Sequence, residues 1–265
     1  MKQTIKVASL NIANYDDHPN WNTRKLLISK EILATKPDVI CLQEVRYNAL
    51  HPSTRNSHLN SAQQILVEVQ NNSGLPGASV HTSVGTQYRP ISDYPFWEGL
   101  SIITAQPISQ IGQRNFSWKH NSIDLNHRIL QMALLKIGET ELCLLHTHFT
   151  YDMMGFLDNI LETIDFYLPT KHRPVILMGD MNVTPDAQEF SHLQDAGFID
   201  LWQHFQPYTD GFSYPAVHPI QRIDYMWANE QAASLVTEVE QWAVKPDETG
   251  IHCSDHLGLI ATLRI

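Results

Sequence analysis

Short apolar runs of strand length recur along this chain, and several of them end on acid, amide or imidazole side chains. Longer segments with helical periodicity predict helices near residues 23–35, 61–70, 155–168 and 187–195. The apolar runs predict strands near residues 5–11, 38–44, 79–84, 99–104, 130–137, 141–148, 174–180, 222–228 and 256–264. Strand groups that alternate with a few helices are typical of an α/β protein with stacked sheets.

Composition and continuity indicate one globular unit. Hydrophobic residues make up 43% of the chain and charged residues 17%, which provides enough apolar mass for a sizeable core. The sequence has no internal repeat, no low-complexity linker and no uninterrupted apolar stretch of the ~18–20 residues that a membrane span requires. We therefore expect a single domain over residues 1–265, with polar, Pro-bearing loops at 46–61 and 205–221 over the functional face.

The cysteines and the N-terminus favour a reducing, intracellular setting. Cys41, Cys143 and Cys253 cannot all pair, and the first two lie inside apolar runs, so we expect buried free thiols. The sequence MKQTIKVASLNI enters a strand pattern directly and lacks a secretory apolar region with a cleavage site. We expect a cytoplasmic, monomeric protein.

The charge balance bears on nucleic-acid binding. The formal net charge is −10 with histidine counted as neutral, and Lys and Arg are scattered without a run of more than two. A protein that draws its affinity from the phosphate backbone usually presents a basic face. The balance argues against a tight, nonspecific duplex binder, but a nuclease stays open because local potential and bound cations matter more than the total.

Polar side chains accumulate where the predicted strands end. Asp180 and Asn182 are two residues apart, so they project to the same side of an extended segment. The full set, in chain order, is Asn11, Glu44, His146, His148, Asp180, Asn182, Asp224, Asp255 and His256. This inventory of oxygen ligands plus imidazole suits a hard cation and a phosphate ester better than zinc or a redox metal.

The same motifs resemble those of the endonuclease/exonuclease/phosphatase superfamily, which includes DNase I-like nucleases, inositol-phosphate phosphatases and neutral sphingomyelinases. They follow the family order from residue 5 to residue 262, and six motifs in order are far more specific than one. The resemblance rests on Asn11 in SLNI, Glu44 in PDVICLQEV, His148 in HTHF, Asp180 and Asn182 in GDMN, Asp224 in RIDY, and Asp255 and His256 in SDH. It implies a four-layer α/β sandwich in which helices flank two packed mixed β-sheets.

The resemblance implies a Mg²⁺ site, with Mn²⁺ as a substitute. Glu44 would be the principal metal ligand, Asn11 would lie beside the metal and the phosphate, and Asp255 would lie at the metal edge. Mg²⁺ keeps several waters in its octahedral shell, so one or two carboxylates plus the substrate phosphate suffice.

It also implies the catalytic groups. Asp180 would orient and deprotonate the attacking water, and Asn182 would hold the phosphate or Asp180 itself. His256 would contact the phosphoryl oxygen while Asp224 accepts its other ring N–H and keeps the imidazole protonated. His148 would lie on the phosphate side and assist the leaving group.

Ordinary structural explanations stand beside these roles. An isolated Glu44 can simply mark a strand exit, and Asp180 with Asn182 can form an Asx turn. His146 and His148 share one face of a strand and could bind zinc as a pair, but no matching Cys or third His accompanies them. His146 is expected to pack in the core or to support the site.

The substrate is the least determined property. Apolar residues in predicted loops either pack beneath the loops or form a rim that stacks a base or contacts a lipid; they are Tyr94, Phe96, Trp97, Phe116, Trp118, Phe149, Tyr151, Met153, Met154 and Phe156. The lack of a basic loop argues against highly charged inositol substrates. We expect a Mg²⁺-dependent phosphodiesterase that acts on a phosphoester substrate. The alternatives are a nuclease of DNA or RNA, a sphingomyelinase-like enzyme, a phosphatase, and a catalytically silent binding module; a zinc or redox enzyme is poorly supported.

Overall fold

The computed structural model describes residues 3–88 and 95–265. Its strands are β1 (Thr4–Asn11), β2 (Val39–Asn48), β3 (Ser79–Tyr88), β4 (Phe96–Thr104), β5 (Ile108–Asn115), β6 (Ile129–Ile137), β7 (Thr140–His148), β8 (Val175–Asp180), β9 (Phe198–Asp200), β10 (Asp224–Asn229), β11 (Val236–Trp242) and β12 (Gly258–Arg264). Its α-helices are α1 (Trp21–Thr35), α2 (Pro52–Ser57), α3 (Ser61–Asn71), α4 (Met153–Tyr167), α5 (Phe190–Asp195), α6 (Leu201–Phe205) and α7 (Glu230–Ala233).

The strands form two six-stranded mixed sheets. The first sheet has the order β11-β12-β1-β2-β4-β3 and the second has the order β5-β6-β7-β8-β10-β9. The pairs β1–β2 and β7–β8 are parallel, while the other pairs in both sheets are antiparallel. Parallel neighbours need a long crossover, which α1 and α4 provide.

Three apolar clusters hold the layers together. Val7 and Cys41 of the first sheet pack with Leu144 and Met178 of the second sheet, so one cluster lies between the two sheets. A second cluster joins the outer face of the first sheet to α1 and α3, and a third joins the outer face of the second sheet to α4 and α5. The expected four-layer α/β sandwich is confirmed, because each sheet is apolar on both faces and must be covered twice.

Every predicted strand and helix has a counterpart, but several elements escaped the sequence patterns. Strands β5 and β11 lie at sheet edges and alternate between exposed and more buried positions, so they contain no apolar run. The three-residue β9 and the short helices α2, α6 and α7 are too brief to show a period. The predicted loop at 46–61 was partly wrong, since β2 continues to Asn48 and α2 follows.

The cysteine prediction is confirmed for burial: Cys41, Cys143 and Cys253 are buried and unpaired. No helix within the described ranges is long and apolar enough to cross a membrane. The predicted stop of α1 is also confirmed, because Lys36 takes the left-handed conformation at the helix end and Pro37 follows.

Candidate active site

The polar strand ends meet along one edge of the sandwich because of strand direction and register. His148 and Asp180 are partners at the carboxyl ends of parallel β7 and β8. Asp224 is the partner of Asp180 from the start of antiparallel β10. An antiparallel strand begins where its neighbour ends, so its first residue reaches the same edge as the last residue of β8.

Glu44 is directed to this edge by a β-bulge. Between β2 and β4 the register shifts from Leu42↔Ser101 to Val45↔Gly99, so two residues face one. Glu44 takes the left-handed conformation, with φ 56°. A non-glycine residue is strained there, and such strain at a bulge re-aims a side chain away from the regular strand pattern.

The loop after β1 holds the Glu44 carboxylate. Asn14 donates from its backbone N–H and from its Nδ2 to Glu44 Oε2, each at 3.0 Å. Asn14 Oδ1 also accepts from the backbone N–H groups of Asp16 and Asp17. The buried Arg46 guanidinium pairs with Asp16 at 3.1 Å, so a cation of β2 anchors the loop that orients Glu44.

Asn11 bridges two carboxylates. Its Nδ2 donates to Glu44 Oε1 at 3.1 Å and to Asp180 Oδ2 at 3.0 Å, while its Oδ1 accepts from the Ala13 N–H. The Oδ1 atom keeps a second lone pair, so a place for Asn11 beside the metal stays a prediction. Its Nδ2 group sets the spacing between Glu44 and Asp180.

His256 and Asp224 form the expected hydrogen-bonded pair. His256 Nδ1 donates to Asp224 Oδ2 at 2.9 Å, and the Ser213 hydroxyl donates to the same oxygen at 2.7 Å. The other ring nitrogen of His256, Nε2, lies 3.7 Å from Asp180 Oδ2. The structure confirms that Asp224 and His256 lie within hydrogen-bond reach and that Asp180 and Asn182 line the same cleft.

Burial and nearby charges shift the pKa values of both Asp180 and His256. Burial, together with the nearby Asp224, raises the pKa of Asp180 to about 7, although His256 and Asn11 act against the rise. Burial acts to lower the pKa of His256, but Asp224 and Asp180 raise it to about 10. Near neutral pH the site therefore holds an imidazolium beside a carboxyl group that is poised to accept a proton.

The pKa values of His148 and Glu44 are lowered, whereas those of Asp180 and His256 are raised. Burial and the Arg128 guanidinium hold the pKa of His148 well below its usual value, so this imidazole is neutral, with Nε2 3.4 Å from Asp180 Oδ2. Burial acts to raise the pKa of Glu44, but hydrogen bonds from Asn14 and Asn11 and the positive charge of His256 hold it below its usual value. Glu44 therefore stays ionised throughout the physiological range.

The remaining predicted residues lie at the same edge. Asn182 follows β8 in the left-handed conformation, with φ 56°; its N–H donates to Asp180 Oδ1 and its Nδ2 donates to the Phe149 carbonyl. Asp255 lies on the wall of the cleft, where its Oδ2 is 3.7 Å from Nε2 of His18. Asn182 thus fixes the orientation of Asp180, and Asp255 carries a carboxylate near the rim.

His146 is a buried residue of the core whose two ring nitrogens are both hydrogen-bonded to glutamine side chains. Its Nε2 accepts from the Gln43 amide at 2.6 Å, and its Nδ1 donates to Gln131 Oε1 at 3.2 Å. Burial lowers its pKa to about 3. The zinc pair considered for His146 and His148 is not formed, because both ring nitrogens of His146 are occupied by core amides that link the sheets.

The cleft has a volume of about 370 Å³, and several of its residues were missed by the sequence reasoning. Arg128 is the most informative of them: its Nε donates to Asp124 at 2.7 Å, and it lines the cleft beside His148. It stands just before β6, which runs antiparallel to β7, so the start of that apolar run reaches the functional edge. Arg128 directly precedes an apolar run, so the sequence signal for it is a polar residue at the amino end of a predicted strand. The other missed residues of the lining are Asn14, Asp17, His18, Arg46, Tyr88, Glu98, Asn126, Tyr151, Tyr214, Gln221 and Ile223.

The sequence of this chain is similar to those of known proteins. A sequence model of the Endonuclease/Exonuclease/phosphatase family matches residues 8–256. Nocturnin from Rattus norvegicus is 22% identical over 264 residues, which cover 91% of this chain and 58% of that protein. The chain therefore spans less than two thirds of the length of this curated relative.

Solved structures show the same fold. An endonuclease/exonuclease/phosphatase family protein from Leptotrichia buccalis C-1013-b superposes with a TM-score of 0.74 at 18% identity and covers 98% of this chain and 100% of its own. Truncated Caenorhabditis elegans TDP2 superposes with a TM-score of 0.71 at 17% identity, and the match covers 99% of this chain and 98% of the TDP2 chain. Since the family match includes every predicted site residue from Asn11 to His256, the chain belongs to the endonuclease/exonuclease/phosphatase family.

Proposed function

We propose that this chain is a Mg²⁺-dependent hydrolase of phosphoric esters and acts as a phosphodiesterase. The observation that carries the proposal is the pairing, in one cleft, of a carboxyl group of raised pKa, Asp180, with an imidazolium, His256, beside the ionised Glu44. Pairs of titratable groups whose environments push their pKa values apart are typical of acid–base catalysis. A catalytically silent binding module would have no need for a carboxyl group and an imidazole with pKa values shifted in this way.

The chemistry of the donor set fits a hard divalent cation. Glu44 is ionised, lines the cleft, and keeps coordinating capacity on Oε1, which accepts only one hydrogen bond from the described residues, that of Asn11. We assign the cation to Glu44 and Asp255, with Asn11 and Asn14 orienting Glu44. Bound there, Mg²⁺ would act as a Lewis acid toward the phosphoryl oxygens.

Asp180 is the base in this proposal. Its Oδ1 is held by the Asn182 N–H, while Oδ2 accepts from Asn11 Nδ2 and lies between the two histidines with a second lone pair for the proton. A water that attacks phosphorus passes one proton to Oδ2 as the new P–O bond forms; the leaving oxygen departs with the electron pair of the broken P–O bond and takes up a proton from solvent. General-base catalysis of this kind contributes roughly 10²–10⁴-fold.

The cationic groups stabilise the transition state. His256 lines the cleft with Nε2 3.7 Å from Asp180 Oδ2, so its N–H would reach the phosphoryl oxygens of a substrate attacked there, while Asp224 holds the ring and its charge from the other side. His148 is neutral, so it would act on the phosphate side as a hydrogen-bond donor to the phosphate or to the leaving oxygen. Arg128 adds a guanidinium on the same wall.

Metal dependence gives a testable prediction. Glu44→Gln should raise the Mg²⁺ concentration for half-maximal activity at least tenfold, because it removes the buried charge of the principal ligand at the proposed metal position. Chelation should abolish turnover by the unmodified chain. Mn²⁺ titration calorimetry without substrate provides a readout that is independent of activity.

Glu139→Gln, in the exposed turn between β6 and β7, is the matched control and should leave the metal requirement unchanged. Full turnover in excess chelator would contradict the proposal.

The pH profile is a second prediction. Since the pKa of Asp180 is raised to about 7, kcat/KM should rise with pH as this carboxyl group loses its proton. It should fall only near pH 10, where the raised pKa of His256 lets the imidazolium lose its charge. Asp224→Asn removes a charge that raises both values, so both limbs should move to lower pH. A profile that does not change in this variant would exclude the assignment.

The proposed activity is tested by a substrate panel with and without Mg²⁺. The panel comprises single- and double-stranded DNA, RNA, sphingomyelin, inositol phosphates and bis(p-nitrophenyl) phosphate. Mg²⁺-dependent cleavage of a diester supports the proposal. Cleavage of monoesters alone would indicate a phosphatase, and binding without turnover of any substrate would indicate a silent module.

A further inference from the structure

Exposed apolar side chains concentrate at the mouth of the cleft. On one side, Ile123 is 70% exposed and Leu125 is 73% exposed, and Met153 and Met154 are each more than half exposed. On the other side, Val217 is 79% exposed and Ile220 is 58% exposed. We call these six residues the apolar rim: Ile123, Leu125, Met153, Met154, Val217 and Ile220. Single exposed apolar residues are ordinary, but a group placed around one opening marks an interaction site.

The first side of the rim is one connected surface. The Tyr151 hydroxyl donates to the Ile123 carbonyl at 2.9 Å, and the Ile123 N–H donates to Asp152 Oδ2 at 3.1 Å. Asp152 also caps α4 by accepting from the Met154 N–H. These bonds join the loop before β6 to the start of α4, so the exposed side chains of both segments are held together.

Both sides of the rim are continuous with the cleft. Tyr151 belongs to the cleft lining, and its ring lies 5.9 Å from the Arg128 guanidinium carbon. Val217 and Ile220 lie between Tyr214 and Gln221, which pair through a β-bridge and also line the cleft. A group that leaves the cleft on either side therefore meets apolar side chains.

The charges around the cleft disfavour a polyanion. Among the described residues, its lining has five carboxyl side chains against the two guanidinium groups of Arg46 and Arg128, and the whole chain carries a net charge of −10. A long nucleic acid contributes one phosphate after another and depends on cationic contacts along its path. A single phosphate flanked by apolar groups matches both the cleft and its rim.

We infer that the natural substrate is a phospholipid, a phosphoester whose alcohol carries long apolar chains and which is presented at a zwitterionic lipid surface. The inference rests on the proposed hydrolase activity. The apolar rim inserts among the acyl chains while the phosphate enters the cleft, and the withdrawal of these side chains from water stabilises the bound state. The net negative charge favours zwitterionic over anionic lipids.

Vesicle binding tests the surface without any need for turnover. The full chain with Asp180→Asn should co-sediment with phosphatidylcholine vesicles, and adding Ile123→Ser and Leu125→Ser should weaken the apparent affinity at least tenfold. Leu26→Ser, at a position on α1 that is 46% exposed and outside the cleft lining, is the matched control and should bind as before.

Kinetics then separates the two proposals. The ratio of phosphatidylcholine turnover in vesicles to bis(p-nitrophenyl) phosphate turnover should fall at least tenfold in the Ile123→Ser, Leu125→Ser variant. Turnover of the soluble diester without vesicle binding, or tighter binding to duplex DNA than to vesicles, would overturn the lipid inference alone. Rim-dependent vesicle binding with no phosphoester turned over would overturn the proposed hydrolase activity.

Discussion

Asp180→Asn and His256→Ala should each lower kcat by at least roughly 10²–10⁴-fold on the best substrate, with a smaller change in KM. Both groups act in the transition state, where Asp180 takes the proton of the attacking water and His256 stabilises the phosphoryl charge. Their facing atoms are 3.7 Å apart, so each is placed to serve the same reacting centre. The measurement is steady-state kinetics of both variants at saturating Mg²⁺.

The double variant should lose far less than the product of the two single effects, because the groups serve one transition state. Neither single loss should come from unfolding. Burial raises the pKa of Asp180, so the buried carboxylate is costly, and a neutral amide of the same shape should keep the melting temperature in circular dichroism or raise it. Near-normal kcat in either single variant would show that the catalytic assignment is wrong.

Gly179→Ala should destabilise the fold and abolish activity. Gly179 is the partner of Thr147 in the parallel pair of β7 and β8, and its φ is +141°, a region that L-residues rarely adopt. An added Cβ would lie 1.9 Å from the Thr147 carbonyl oxygen, which is backbone and cannot yield without moving β7. Overpacking and backbone strain each cost roughly 1–3 kcal/mol. The measurement is urea unfolding of the variant.

Gly197→Ala is the matched control for this substitution. Gly197 also has a positive φ, +90°, but a Cβ built on it meets nothing within 4 Å. Gly197→Ala should therefore be destabilised only by backbone strain, without overpacking, and should keep its activity. If Gly179→Ala unfolds at the same urea concentration as the unmodified chain and turns over normally, the close approach of β7 and β8 does not position Asp180.

Some features of the site were readable in the sequence because they are local. The end of an apolar run and a polar residue beside it are both visible in a few letters, as for Glu44 and Asp180. The expectation of a four-layer sandwich came from the resemblance of the motif order, since no local pattern gives a sheet order. The exposed Tyr151, Met153 and Met154 and the buried Phe149 and Phe156 looked alike in the sequence, and only burial separates a rim from a core. Tyr94 lies outside the described residues.

The sequence by itself determined the strands, the main helices and the identity of the polar groups, because hydrophobic periodicity and residue type are properties of neighbouring positions. Only the tertiary structure decided what those groups do to one another. Asn11 became a bridge between carboxylates through its contact with a residue 169 positions away, and Arg128 joined the site because β6 runs antiparallel to β7. The pKa values of Asp180, His148 and His256 follow from burial and from charges on other strands, and these exist only once distant segments have packed together.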